Sequence, residues 1–273
     1  MSTGSAEATA RGPLRIGAVG YLNARPLTWA LDRAPDRWRV RYDVPSVCAT
    51  LLHDGDVDLG LVPSIEYLRS PEYRFVPGVG IGSRGAVASV AIYARRPIAE
   101  IGTIALDTSS RTSVALIQVL CRNHFRIQPT FVPHGPDLAE MMRAADAALL
   151  IGDPAFDADH CALGVEKIDL GEEWTRMTGL PFIYAAWTGR AGAASADDVR
   201  ALQEAQAEGV RAAEDIAAEY GRGDPGRAAR ARAYLRDNVK YGIGVEEAKG
   251  LQLFLDYAAD LGLAPGRRRV EFF

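Results

Sequence analysis

From Leu14 onward, short apolar runs alternate with stretches whose apolar residues recur every three or four positions. That is the pattern of a chain interleaving strands with helices. The runs predict strands over 14–19, 38–44, 58–62, 75–81 and 86–94. Between them lie helical patterns over 25–32 and 45–54, the second with Pro45 suited to a first turn. A short helix over 65–68 follows, with Ser64 at its cap. Arg95-Arg96-Pro97 breaks the rhythm, and a second series begins. It has strands over 103–106, 127–132, 146–151 and 181–187 and helices over 111–125, 137–143 and 172–177. Beyond Gly192 the chain turns to Ala, Glu and Arg, and helices are expected over 196–220, 227–238 and 245–261.

Two such series followed by a helical tail predict an α/β protein of two lobes. With strands 86–94 and 181–187 crossing between them, lobe 1 comprises 14–94 plus 185–273 and lobe 2 comprises 95–184. The tail returns to the first lobe, and residues 1–13, small and polar, read as a disordered leader. Ligands of open α/β sheets bind beyond the carboxyl ends of the strands. Here that directs attention to 20–25, 63–64, 83–89, 108–113 and 152–153.

Composition narrows the class. The 273 residues carry 31 Lys and Arg against 35 Asp and Glu, a formal charge of −4, with 48% apolar and 24% charged residues. This is an ordinary globular balance, without the basic face of a general nucleic-acid binder. Arg267-Arg268-Arg269 reads as a solvated run. Cys48, Cys121 and Cys161 lie far apart with no CxxC spacing, as expected of reduced thiols in the cytoplasm. The four histidines form no HxxxH or HExxH pair, so no metal site is expected. No stretch approaches the ~20 apolar residues of a membrane span, and the N-terminus lacks a signal-peptide core.

The densest chemistry lies in 107–113 (DTSSRTS), which joins a strand to a helix with five hydroxyl residues and Arg111. A helix N-terminus offers free N–H groups and partial positive charge. Ser110, Thr112 and Ser113 add hydroxyl donors, and Arg111 offers a bidentate fork. One capping side chain needs no such cluster, so the residues favour carboxylate binding slightly over a plain cap. The segment 20–27 (GYLNARPL) carries Tyr21 and Asn23 after the first strand; its residues alone favour a turn in which Asn23 caps and Tyr21 packs. Ser89 interrupts an apolar run and either faces the cleft or bonds a neighbouring carbonyl. Glu66 and Asp153 are the carboxylates nearest the expected cleft. There is no GxGxxG or GxxxxGK[ST], so no nucleotide cofactor is indicated.

Taken as a set, 20–27 (GYLNARPL), 58–64 (DLGLVPS), 107–113 (DTSSRTS), 150–153 (LIGD) and 170–182 (LGEEWTRMTGLPF) resemble the signatures of the menaquinone-biosynthesis chorismate dehydratases. The resemblance implies the two-lobed type II periplasmic-binding-protein fold, with a helical C-terminal segment packed on the first lobe. It also implies a carbon–oxygen lyase that removes water from chorismate to give 3-[(1-carboxyvinyl)oxy]benzoate in the futalosine pathway, without a cofactor. The family's active-site Asn and Ser match Asn23 and Ser89, expected as the catalytic pair. Tyr21, Ser64, Thr108, Ser110, Arg111, Thr112, Ser113, Gly152 and Asp153 are expected to bind substrate. The proton acceptor stays open between the substrate's own enolpyruvyl carboxylate, Glu66 and Asp153. The rivals are a non-catalytic cytoplasmic sensor of a small carboxylate and the sister dihydroxynaphthoate synthase, whose Ser/Cys/Pro-rich opening is absent here. An acidic chain that binds a dianion needs local positive potential, from helix N-termini, hydroxyls or Arg111. Oligomeric state is not legible.

Overall fold

The computed structural model describes residues 12–273, so the expected leader lies outside the described residues except at Gly12 and Pro13. Among the described residues ten strands form two five-stranded sheets. They are β1 (Leu14–Val19), β2 (Trp38–Asp43), β3 (Leu59–Pro63), β4 (Tyr73–Ser83), β5 (Val90–Ala94), β6 (Thr103–Asp107), β7 (Thr130–His134), β8 (Ala147–Ile151), β9 (Glu166–Asp169) and β10 (Phe182–Arg190). The orders are β2-β1-β3-β10-β4 and β7-β6-β8-β5-β9. In each sheet three parallel strands meet one antiparallel strand arriving from the other lobe, β10 beside β3 and β5 beside β8. The two-lobed α/β architecture therefore stands.

Helices cover the sheets: α1 (Arg25–Thr28), α2 (Pro45–Asp54), α3 (Thr112–Leu120), α4 (Leu138–Ala144), α5 (Gly152–Phe156) and α6 (Leu170–Thr178). The tail adds α7 (Ala196–Arg211), α8 (Ala213–Gly221), α9 (Pro225–Ala233) and α10 (Val245–Asp260). Local sequence explains several ends. Ser195 and Asp198 form a capping box on α7, and Pro45 stands in the first turn of α2. The tail packs on the first lobe, where Phe254 of α10 meets Phe182 edge-on, and it also reaches the second. Phe254 touches Trp174 of α6, and Arg227 and Tyr220 both bond the Asp157 carboxylate.

The lobe boundary needs a correction. The run 86–94 was expected to cross as one strand belonging to lobe 1, yet β5 begins at Val90 and pairs wholly with β8 and β9. The crossing is the irregular segment 84–89, and the return crossing is 179–181; β10 lies entirely in the first sheet. Hydrogen bonding explains why the strand starts late. The Asp169 carboxylate accepts the N–H groups of Val87 (3.0 Å) and Ala88 (2.6 Å), so they cannot join a ladder. It also caps α6 through Gly171 and Glu172. Ala88 is left in the left-handed region at φ 67°, which costs an L-residue about 1–2 kcal/mol. The Lys167 ammonium on the Ala88 carbonyl (2.6 Å) helps hold it there.

Removing Asp169 would orphan four N–H groups, uncap α6 and release the crossing. Asp169→Ala is expected to destabilise the chain by about 2–4 kcal/mol, read as a lowered midpoint in urea unfolding.

Candidate functional site

The carboxyl ends of β1, β3, β6 and β8 converge where the lobes face each other, and a cavity lies between them. Lobe 1 contributes Val19, Tyr21, Asn23, Pro45, Pro63, Ile81, Tyr184 and Ala185; lobe 2 contributes Val90, Ser110, Thr112, Ser113, Ile151 and Gly152. It leaves about 50 Å³ for the centres of water-sized molecules. Pockets that engulf a small organic ligand run to about 300–1,000 Å³. The lobes are thus nearly shut over it.

The hydroxyl loop before α3 is shaped from within. Asp107 is buried, and its Oδ1 accepts both the N–H (2.8 Å) and the hydroxyl (2.6 Å) of Ser109, a local turn that re-aims the chain. Burial pushes the Asp107 carboxyl up, partly offset by those bonds. The residue preceding α3 is Arg111, whose own side chain makes no capping bond, while Ser110 Oγ holds the Ser113 N–H. The first turn of α3, with Thr112 and Ser113, therefore faces the cavity with donors available for an anion.

Arg111 does not face it, contrary to expectation. Its guanidinium turns to lobe 1, where it donates to Glu66 Oε2 (2.9 Å), the Ser46 carbonyl (3.1 Å) and Thr50 Oγ1 (3.1 Å). Glu66 is fully buried, and the same Oε2 accepts from His53 Nε2 at 2.5 Å, while Tyr73 bonds the other ring nitrogen. Burial alone would push the Glu66 carboxyl up. The His53 hydrogen bond and the charges of Arg111 and Arg69 outweigh it and hold Glu66 below the ordinary carboxylate value. Glu66 and Arg111 sit along a separate groove with Gln118 and Leu263. They form a latch between lobes, so Glu66 does not stand at the cavity as a candidate base.

The other expected residues separate in the same way. Tyr21, Asn23, Ser110, Thr112, Ser113 and Gly152 line the cavity. Thr108 is exposed, its N–H bonded to His134 O. Ser64 caps nothing: residues 64–69 form a 3-10 helix without a side-chain cap. Its buried hydroxyl instead donates to Ile183 O (2.7 Å) beside Thr112 Oγ1 (3.4 Å). Asp153 lies behind the wall, its Oδ1 accepting the Leu22 N–H across the lobes (2.8 Å); burial pushes its carboxyl up. Ser89 neither faces the cavity nor bonds a carbonyl. Its hydroxyl meets that of Tyr234 at 2.7 Å. Tyr184, whose hydroxyl meets Ser83 Oγ (3.0 Å), also lines the cavity and went unnoticed in the sequence. Period-two alternation from the buried Phe182 could have flagged it.

Among the described residues lining the cavity there is no carboxylate, imidazole, ammonium or guanidinium. Its wall is apolar surface with hydroxyl groups and one amide. No group of three or more His, Cys, Asp or Glu among the described residues gathers to hold a metal. No described helix is long and apolar enough to cross a membrane.

The two sheets and the cleft between them make a two-lobed fold of the periplasmic-binding-protein type. Protein AF1704 of Archaeoglobus fulgidus superposes with a TM-score of 0.73 at 18% identity, covering 92% of this chain and 98% of that one. The aliphatic sulphonate binding protein SsuA of Escherichia coli gives 0.64 at 21% identity, covering 96% and 91%. Within that class the chain belongs to the menaquinone biosynthesis family, whose model matches residues 14–260. A chorismate dehydratase of Thermus thermophilus is 30% identical over 270 residues, 93% of this chain and 97% of that protein.

Two outcomes follow from this geometry. Gly152 has φ +63° and a Cβ there would run into the Tyr21 ring of the facing lobe. Gly152→Ala is expected to hold the lobes apart, seen as a larger radius of gyration in X-ray scattering. Glu66 is favoured as the ion by folding, so its stabilisation is complete above the ordinary carboxylate pKa and is lost as pH falls through the depressed folded value. Glu66→Gln should melt below the wild type at pH 7, and the gap should close on acidification below pH about 4.

Proposed function

We propose that this chain removes water from chorismate, giving 3-[(1-carboxyvinyl)oxy]benzoate for menaquinone biosynthesis in the cytoplasm. The observation that carries this reading is the cavity wall: hydroxyl and amide donors at the first turn of α3 and at Asn23, on an apolar frame, with no acid or base of its own. Chorismate brings two carboxylates and an apolar ring. The α3 turn with Ser110, Thr112 and Ser113 suits one carboxylate, and Asn23 suits the enolpyruvyl arm; Ser89, expected beside it, would reach that arm only by turning its hydroxyl from Tyr234 into the cleft. The matching dehydratase of Thermus thermophilus supports the same substrate.

The reaction breaks the C–H bond at the ring carbon bearing the enolpyruvyl ether and the C–O bond at its neighbour. The electron pair left by the proton becomes part of the aromatic ring as hydroxide departs. The enolpyruvyl carboxylate of the substrate takes the proton, which leaves with the hydroxide as water, so atoms and charge balance. Aromatisation supplies the driving force. The protein's share is to fix that carboxylate over the proton and to exclude water as the lobes shut.

Purified protein incubated with chorismate should yield an aromatic ultraviolet spectrum and the benzoate ether by mass. Asn23→Ala should lower kcat about 100-fold. Asp153→Asn and Glu66→Gln should each stay within about tenfold of wild type, whereas loss of a true general base costs about 10²–10⁴-fold. Chorismate bound but unchanged by the wild type would point to a solute-binding module; abolished turnover with intact binding in either carboxylate variant would point to a protein base.

A further inference from the structure

Two serines stand side by side before α3, and only the second meets the cavity: Ser110 lines it and Ser109 does not. What separates them is Asp107, the last residue of β6, which is fully buried and lies outside the cavity wall. Its Oδ1 accepts the Ser109 N–H at 2.8 Å and the Ser109 hydroxyl at 2.6 Å, so both donors of that residue turn away from the cleft. Its backbone carbonyl accepts the Ser110 N–H at 3.1 Å, which closes the chain into a tight loop. The loop is also held from outside. Thr108 N–H bonds His134 O of β7 (3.0 Å), and Ser109 O accepts the Ser46 N–H of lobe 1 (3.1 Å). Ser110 Oγ then accepts the Ser113 N–H at 3.3 Å, and among the described residues no acceptor takes the Ser110 proton.

We propose that Asp107 is a positioning residue for the ligand carboxylate at α3, its Oδ1 holding Ser109 back so that Ser110, of the two serines, presents its hydroxyl proton to the cavity. This deepens the chorismate reading above and rests on it. A hydroxyl has one proton and two acceptor sites. Ser109 gives its proton to Asp107. Ser110 uses an acceptor site on the Ser113 N–H, which fixes its oxygen at the start of α3 and leaves the proton for an incoming anion. Without the Asp107 acceptor, the Ser109 N–H and hydroxyl lose their partner, and the loop is free to turn until they find another. Ser110 would then lose its aim. The neighbouring Thr112 is fixed independently, since its Oγ1 accepts the Ile65 N–H across the lobes at 3.2 Å. In the proposed reaction the carboxylate held at α3 takes no part in the bond changes. Its contacts are therefore as strong in the ground state as in the transition state, so losing one weakens binding and leaves the chemical step alone.

The test is calorimetric binding of 3-[(1-carboxyvinyl)oxy]benzoate and steady-state turnover of chorismate by wild type, Asp107→Ala, Ser110→Ala, their double variant and Asp107→Asn, with the melting temperature of each. In Asp107→Ala, Kd and KM should rise about tenfold while kcat stays within about threefold of wild type. The double variant should bind no more weakly than Ser110→Ala, because Asp107 acts through Ser110. Asparagine keeps an acceptor oxygen for Ser109, so Asp107→Asn should bind within about threefold of wild type. A purely structural role would lower the melting temperature and leave Kd and KM of the folded protein unchanged, which would overturn the inference. Losses that multiply in the double variant, or an Asn variant as weak as the Ala one, would overturn it as well. If Asp107→Ala does not fold, the serines decide. Ser110→Ala should bind about tenfold more weakly and Ser109→Ala within about threefold of wild type; equal losses or the reverse order overturn the inference. A wild type that neither binds the benzoate ether nor consumes chorismate overturns the proposed function and this inference together. A wild type that does both, with Asp107→Ala indistinguishable from it, overturns this inference alone.

Discussion

Polar groups sealed between two lobes must find partners there, because water cannot reach them once the cleft shuts. That constraint organises this protein. Thr112 Oγ1 accepts the Ile65 N–H across the seam, Asp153 accepts from Leu22, Ser46 N–H bonds Ser109 O, and Arg111 spans to Glu66. Each bond joins a loop at the end of a strand in one sheet to an element of the other. The parallel strands bring these loops together, and the bonds fix how closely they approach. What remains between them is a small cavity whose walls carry donors not consumed in the seam.

The same constraint bears on how a chain of charge −4 would accommodate the proposed dianion. A buried guanidinium on the wall would need a carboxylate partner whenever the site is empty, and Arg111 has taken one in Glu66. The wall instead uses neutral donors at the start of α3. Their desolvation costs little in the empty site, and the helix end supplies partial positive charge. Glu66 illustrates the cost of the latch. Its Oε2 gathers His53, Arg111 and Arg69, while its buried Oε1 has no partner.

Much of this was legible in the sequence, for reasons that also mark its limits. Strands such as Leu14–Val19 and the helix Pro45–Asp54 stand out because one face is continuously apolar or a proline fixes the start. The four-residue edge strand Glu166–Asp169 has no such face, and α5 is a single turn after Ile151; both pass unseen. The hydroxyl loop drew attention because five such side chains exceed what a cap needs, and three of them, Ser110, Thr112 and Ser113, line the cavity. Arg111 was misplaced because its partner Glu66 lies 45 residues away, and nothing local announces that pairing. Tyr234 was invisible for the same reason. It sits in an Ala- and Arg-rich helical stretch that reads as tail, and its meaning comes entirely from Ser89, 145 residues earlier.

The fold is shared with solute-binding proteins; the proposed chemistry rests on the arrangement of uncharged donors between the lobes. That arrangement is tested most directly by a crystal structure grown with 3-[(1-carboxyvinyl)oxy]benzoate, which holds both carboxylates of the reaction and does not turn over. The account predicts the ligand between the lobes, one carboxylate on Ser110, Thr112 and Ser113 and the other beside Asn23, with Arg111 still on Glu66. A ligand bound outside the cleft, or an Arg111 released from Glu66 to pair with a carboxylate, would contradict it.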